Sequence, residues 1–541
     1  MSNLIESIYD DVELVTESTN GGKKFHYIHG IFAQADVVNG NKRIYPEKVL
    51  DESMNAYIKD YVSKSRAVGE LIHPMCYASG ALVVTHNKGI IPIEDVVIGD
   101  TVYGVDESGN SVITPVIGTV NESYSGDMIR LKSRSIHALV TPNHRFYLQT
   151  RYKGLVVKTA EEIHSSINGD NKLSHEYIPQ YIQNYDSPDI EDIIIPGILN
   201  SRHKKYHQDL ILNFDLYSKL MGIYLAEGYV TYSNKKTPCS VNICQNINTN
   251  LDLIIDLVSD IGLKSTVYVK DDNRAIVSIT DNRLAKYFSQ FGKNCYTKEV
   301  PIEIRQASKN QISEFLEWYV LGDGSLLNIQ HTTLSGENKI YTYKNLFTTS
   351  INLIRGLEEC LLKCGYSVNE RIQLSPEDYT FAGRTIQIKN KSPLYRVNFG
   401  KRRGAYTFNR HMKSTKEFYE GTVHCLTTET GNFYVMYDGY SHLTGNSSAI
   451  GLDRVSHLIT EMRKDGKNYI GKARILNTPT GKIAQALLEG GVKLGVSTRA
   501  DGKVVQNARG LNEVAPGLGM KAIDIVFNPS APDALVDSIM E

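Results

Sequence analysis

Cysteine is absent from both ends of this chain. The seven cysteines are Cys76, Cys239, Cys244, Cys295, Cys360, Cys364 and Cys425; residues 1–75 and 447–541 contain none. An odd number without paired spacing argues against a disulfide scaffold and for a reducing cytoplasm. Long apolar runs are missing too. Nothing approaches the roughly 18 residues of a membrane span, so no membrane partner is expected. The acidic start MSNLIESIYDDVELV lacks a signal-peptide core. No charge sign dominates: Lys plus Arg number 59 against 60 Asp plus Glu, net −1. That excludes a globally basic nucleic-acid binder and leaves room for a local basic face. A length of 541 residues suggests several domains.

What is present is uneven in texture. From 76 to about 155 the chain reads as short strands broken by Gly, Asp and Asn: ALVVT, GIIPIEDV, DTVYGVD, SVITPVIGTV, DMIRLKS, HALVTP. Such punctuation predicts a compact all-β unit. Similar strands return over 394–446, beginning with LYRVNFG. Between them lies a helical region with a weak repeat. DLYSKLMGIYLAEGYV (215–230) parallels SEFLEWYVLGDGSLL (313–327), and each is followed by a further helix that feeds a strand. A repeat of this kind predicts pseudo-twofold symmetry. The cysteine-free flanks, joined, hold 170 residues, one domain's worth. Cys360 and Cys364 stand four apart on a predicted helix, as a metal pair or as buried small apolar residues, the second being the commoner case.

The borders of the cysteine-containing stretch carry chemistry. Cys76 opens it; Asn446 closes it, with Ser447 next. Peptide cleavage without a separate protease needs a local nucleophile and a weakened amide. Cys76 can attack the Met75 carbonyl to give a thioester, and Ser447 can accept the acyl group. Asn446 can then cyclise and cut its own peptide bond, leaving Met75 joined to Ser447. Thr141 and His144, in TPNHRF, have the spacing of a donor pair for the first step. Cys425, in VHCLTTETGNFYV, can tune the middle steps. The opening CYASGALVVTHNKGIIPIEDVVIGDTVY, the TPNH box, the VHCLTTETGNFYV strand pair and the GN-S end together resemble an intein of the Hedgehog/intein (HINT) type. Two positions depart from that pattern: Gly445 and Gly431 stand where many members have the histidines that assist the Asn step. His442 is a candidate substitute, set against the commoner reading of a solvated turn histidine.

The repeated helices resemble those of the LAGLIDADG, or dodecapeptide, homing endonucleases. LMGIYLAEG puts Glu227 at the acid position with Gly222 on the packing face, and FLEWYVLGDG puts Asp323 at the second acid position. The resemblance implies paired helices whose two carboxylates hold a divalent metal, Mg²⁺, against scissile phosphates. Lys298, in TKEVP, matches the family's Lys-x-x-Pro element. The implied partner is double-stranded DNA, a long site in the intein-less allele of the host gene. Strands such as YVTYSNKKTP, NKIYTYKN and KSTVYVKDDNR are candidates for the groove. Trp318 takes a place where a small residue normally allows close contact, and an indole there can push the helices apart or rotate the second one outward.

In the flanks, GELIHP (69–74), GLDRVSHLI, GVKLGVSTRA and IDIVFNPSAPDA resemble the prohead core proteases of myovirus-type phages. That family implies a herpesvirus-protease-like β-barrel with helices and a serine nucleophile. It implies capsid and scaffold proteins as substrates, and a place in the host cytoplasm and inside the immature head. Carried over, Ser497 is the nucleophile and His73 the general base. Asp524 is the third member, with Glu70, Asp453 and His457 as rivals. The backbone after Ser497, with Arg499, can stabilise the oxyanion. The expected architecture is multidomain. An all-β HINT splicing domain (76–200 and 391–446) carries an inserted α+β endonuclease (201–390). The whole lies inside a split α+β protease domain (1–75 and 447–541). Competing readings are a non-enzymatic capsid or scaffold protein hosting the insert, and a Hedgehog-like autoprocessing protein.

Overall fold

The computed structural model describes residues 2–8, 13–18, 24–38, 43–70, 76–150, 154–169, 176–200, 205–234, 236–271, 273–332, 338–373, 378–381, 384–387, 392–401, 405–406, 412–445, 455–492, 494–502, 504–506 and 512–526. His73, Met75, Asn446, Ser447 and Asp453 lie outside the described residues, as does the side chain of Arg499. No helix among the described residues is long and apolar enough to cross a membrane.

The two flanks share one core. Strand Lys24–Gln34 of the first flank runs antiparallel to Asn468–Ile475 of the second; that strand pairs with Val455–Asp465, which pairs with Val68–Glu70. Glu13–Ser18 completes a five-stranded sheet. Along Asn468–Ile475 burial alternates residue by residue, the mark of a half-buried strand. Its inner face packs with Leu50, Met54 and Tyr57 of helix Glu47–Tyr57 and with Ala484 and Leu488 of helix Pro479–Glu489. Neither flank buries this surface alone. A second, three-stranded sheet holds Ser2–Ile8, Gly495–Gly502 and Gly519–Val526.

The arms of the insert build a separate β unit. Strands Ser111–Lys132 and Lys413–Thr428, one from each arm, run antiparallel from Val116 opposite Thr428 to Lys132 opposite Lys413. Shorter strands close the fold around Val83, Val102, Ile129, Val140, Phe146, Leu426, Phe433 and Val435.

Between the arms, two half-units repeat one plan. Helix Phe214–Glu227 runs into a four-stranded sheet of Gly228–Tyr232, Pro238–Asn246, Arg274–Ile279 and Ser265–Val269, in that spatial order. Helix Lys309–Asp323 runs into Gly324–Thr332, Asn338–Thr348, Leu394–Gly400 and Ser367–Gln373, in the same order. The last assignment moves a boundary. Leu394–Gly400, grouped by its sequence with the splicing strands, is hydrogen-bonded on both sides within the second half-unit, so the border at 390/391 falls too early.

The two long helices touch closely, and the expected wedge does not occur. A Cβ on Gly222 would stand 2.9 Å from the Trp318 Cβ and 3.0 Å from the Tyr319 nitrogen; one on Gly322 would stand 2.5 Å from the Ala226 Cβ. Bare glycines on both helices admit the neighbouring backbone, and Trp318, partly buried, packs against the rim of the core. This core continues into the β unit through Val84, Ile90, Tyr103, Val105 and Tyr434. At that seam the fully buried Glu359 carboxylate is paired with Arg305 at 2.7 Å and Lys363 at 2.6 Å, and the Lys363 ammonium lies 4.9 Å from the centre of the Tyr103 ring.

Candidate functional site

Cys76 is fully buried, beside Ala78, Val120, Val423 and Cys425. Its N–H donates to Thr141 Oγ1 at 3.0 Å, and its carbonyl accepts from the Thr141 N–H at 3.0 Å. The His144 N–H donates to the Thr141 carbonyl at 2.9 Å. The three-residue spacing of Thr and His is therefore that of a tight turn after strand His137–Val140. The Cys425 thiol donates to its neighbour's carbonyl, Leu426 O, at 3.4 Å.

The end of the insert reaches the same place. Strand Tyr440–Gly445 pairs with Asn432–Tyr437 and meets strand Arg145–Gln149 at Thr444 opposite Phe146. His144 Nε2 and Thr444 Oγ1 are 2.6 Å apart. The Tyr77 hydroxyl donates to Thr444 Oγ1 at 2.9 Å and lies 2.8 Å from His442 Nε2. His442 is fully buried, which overturns the reading of a solvated turn histidine; burial pushes its pKa down to about 3, so the ring is neutral. The two missing histidines have physical causes. A Cβ on Gly445 would come within 2.7 Å of the Arg145 Cβ, and Gly431 holds φ +79° in the turn between strands. Nothing in the sequence marks Tyr77 or Thr444: no motif names them, and only the fold brings the two hydroxyls together.

The long helices end with Glu227 and Asp323. Lys298 caps the first, donating to the carbonyls of Tyr224 at 3.1 Å, Leu225 at 2.9 Å and Ala226 at 3.4 Å. Burial pushes the Lys298 ammonium down to about 8 against the pull of the Asp323 and Glu227 charges. Burial, and then the Glu227 charge, push the Asp323 carboxyl up to about 6. Burial also raises Glu227, opposed by Lys298. Two carboxylates held partly against ionisation make a site short of positive charge, and their oxygens suit a hard divalent cation. Among the described residues no three His, Cys, Asp or Glu side chains converge on one point, so backbone, water or phosphate oxygens would complete a shell. Cys360 and Cys364 are both buried, and burial pushes the Cys364 thiol up to about 11. They behave as neutral core groups, not as a metal pair.

In the flanks, Ser497 stands opposite Asp524 across paired strands. Ser497 is fully buried, and its hydroxyl has no hydrogen-bond partner among the described residues. Asp524 accepts from the Glu70 N–H at 2.9 Å. This tie holds the end of strand Val68–Glu70, three residues before His73 in sequence, against the Ser497 strand pair. His457 is fully buried, its Nε2 2.9 Å from the Ile523 carbonyl and its Nδ1 2.9 Å from Ser456 Oγ. Burial pushes it down to about 4, opposed by the Asp524 charge. Of the rivals, Glu70 and His457 thus also lie beside Asp524.

The profile of the prohead core protein serine protease family matches residues 6–134 and 445–541. The prohead core protein protease of Enterobacteria phage T4 is 52% identical over 48 residues, 9% of this chain and 23% of that protein. A DNA-directed RNA polymerase subunit beta C-terminal section from Stigeoclonium helveticum is 21% identical over 443 residues, 75% of this chain and 40% of that protein. The chain therefore spans less than half the length of either relative. Among solved structures, the homing endonuclease I-DmoI has a TM-score of 0.23 at 17% identity, covering 35% of this chain and 89% of that one. The bacteriophage T4 capsid assembly protease has a TM-score of 0.14 at 23% identity, covering 15% and 50%. Residues 6–134 and 445–541 thus match the prohead core protein serine protease family, and the long stretch 135–444 between them does not.

Proposed function

We propose that this chain is the precursor of a prohead serine protease, and that residues 76–446 are a self-splicing HINT-type intein with an embedded homing endonuclease. The observation that carries this reading is the meeting of the insert's ends. Tyr77 bonds to Thr444, and Cys76 and Thr444 both touch the Thr141–His144 turn. Splicing needs two cleavage sites in one place, and a fold that closes its first and last strands onto one turn supplies it. Further support comes from the 443-residue match to an RNA polymerase subunit. The flanks hold only 170 residues, so that match must run through the insert, as expected of an element shared by unrelated hosts.

In this reading Cys76 is the first nucleophile. Thr141 Oγ1 accepts from the scissile nitrogen's N–H and twists the amide, and His144 carries the proton that the leaving nitrogen takes. Ser447 accepts the acyl group, Asn446 cyclises, and Cys425 lines the pocket of the thioester. The splicing domain comprises 76–200 and the stretch after Gly400 up to Asn446, with the nuclease between.

For the nuclease, Glu227 and Asp323 would hold Mg²⁺, which supplies charge neutralisation at the scissile phosphates of the intein-less host gene. Lys298 fixes the end of the Glu227 helix. Tyr229, Tyr232 and Tyr268 stay exposed on the first sheet, available to a groove. For the protease, Ser497 is the nucleophile, His73 the base and Asp524 the acid, in a herpesvirus-protease-like barrel that cuts capsid and scaffold proteins. Expression of the full chain tests the splicing reading: it requires a joined 170-residue product and a 371-residue excised piece.

A further inference from the structure

Four side chains from three separate parts of the insert form one unbroken hydrogen-bonded file. His442 Nε2 lies 2.8 Å from the Tyr77 hydroxyl, Tyr77 donates to Thr444 Oγ1 at 2.9 Å, and Thr444 Oγ1 lies 2.6 Å from His144 Nε2. All four groups are buried. Tyr77 gives its one proton to Thr444, so His442 can meet the Tyr77 oxygen only through an Nε2–H. In the tautomer of His144 with a bare Nε2, Thr444 gives its own proton to that nitrogen and the file runs one way.

We propose that Tyr77 and Thr444 are a proton relay that couples the two cleavage sites of the insert; this rests on the splicing reading above. At the first site a bond forms between Cys76 Sγ and the Met75 carbonyl carbon, the carbon–nitrogen bond breaks, and the thiol proton ends on the Cys76 nitrogen. At the second, Asn446 Nδ2 bonds to its own carbonyl carbon, the bond to Ser447 breaks, and a proton from Nδ2 ends on the Ser447 nitrogen. Neither step consumes a proton, but each moves one between atoms. A proton entering at His442 shifts every N–H and O–H bond of the file by one place and leaves His144 as the imidazolium; the reverse shift returns it. One file with one excess proton serves one site at a time, which orders the steps.

The arrangement also accounts for the missing histidines. Gly445 has no room for a side chain, and His442 reaches the file from three residues earlier. Tyr77 suits a relay better than a base: burial pushes its hydroxyl well above the usual tyrosine range, so it stays protonated. Cys425 and Tyr437 are the other titratable groups that face it besides the two histidines. Tyr77 and Thr444 act through the histidines and are positioning residues.

The test uses the full precursor, with thiol-induced cleavage before Cys76 and cleavage after Asn446 followed separately by intact mass between about pH 5 and 9. Tyr77→Phe keeps the ring and removes the relay. It should slow cleavage after Asn446 by about 10-fold or more, slow the thiol-induced step by less than about 3-fold, and abolish the shared inflection in the two pH profiles. Thr444→Val should match it and Thr444→Ser should restore splicing. The inference is overturned if Tyr77→Phe and Thr444→Val splice as the wild type does. It is equally overturned if Thr444→Ser is as impaired as Thr444→Val, or if both steps fall together with an unchanged profile. A wild-type chain that never splices defeats the underlying reading instead.

Discussion

Tyr77 and Thr444 are 367 residues apart in the chain, yet the hydroxyl of one donates to the hydroxyl of the other at 2.9 Å. The contact is buried and brings the second residue of the insert against its antepenultimate one. A long stretch of chain is looped out between them without separating the ends.

The tie between Thr141 and Cys76 sets the first expectation. Thr141→Val keeps the volume and removes the acceptor for the Cys76 N–H. Thiol-induced cleavage before Cys76 should slow by about 10-fold or more, while the melting temperature changes little. An unchanged rate, read by gel or mass, would remove Thr141 from the first step.

Cutting and splicing should separate. Glu227→Gln or Asp323→Asn should abolish cleavage of DNA carrying the intein-less site, with splicing intact, because the acids lie in the inserted unit. Omission of divalent metal should do the same. Retained cutting in both variants excludes these acids.

The same acid pair predicts a pH dependence of stability. Burial, and then the Glu227 charge, raise the Asp323 carboxyl to about 6, above the usual aspartate value of about 4. Its folded form binds the proton more tightly, so the associated stability is complete below about pH 4 and is lost as pH rises through about 6. The loss is at most roughly 3 kcal/mol. Metal-free insert should therefore unfold more easily at pH 7 than at pH 5, and Asp323→Asn should flatten that slope in denaturant titrations. A slope unchanged by the substitution contradicts the assignment.

The helix contact depends on its glycines. Gly222→Val would force the Trp318 side of the neighbouring helix away and should destabilise the insert by roughly 2 to 3 kcal/mol. Trp318→Ala should cost less, since the indole lies at the rim of the core. Equal costs, measured by urea unfolding, would show that the indole and not the glycine governs the contact.

Much of this was legible in the sequence. The repeat at 215–230 and 313–327 foretold two matching half-units, and the cysteine-free flanks foretold a shared core. Three things were not. Leu394–Gly400 reads like any short β-strand, and only its partners decide its sheet. Trp318 looked like a wedge because one-dimensional motifs do not show that Gly222 faces its Cβ and backbone. His442 follows a turn in sequence, but its strand turns inward against Tyr77. In the flanks, Ser497 was visible as a position in the GVKLGVSTRA stretch, whereas the Glu70–Asp524 bond joins residues 454 apart and leaves no local trace.

Proteolysis should depend on both Ser497 and excision. Ser497→Ala should abolish cleavage of head proteins. A precursor locked by Cys76→Ala with Asn446→Ala should retain less than about a tenth of the spliced enzyme's activity, since the insert sits two residues after His73. Equal activity of locked and spliced forms would show that the insert does not obstruct the site.

The most direct measurement is the intact mass of the freshly expressed chain over time. The account predicts loss of the 541-residue species and equal appearance of a 170-residue joined product, with Met75 bonded to Ser447, and a 371-residue piece ending at a cyclised Asn446. Persistence of the full chain, or release of the first flank alone without a joined product, contradicts it.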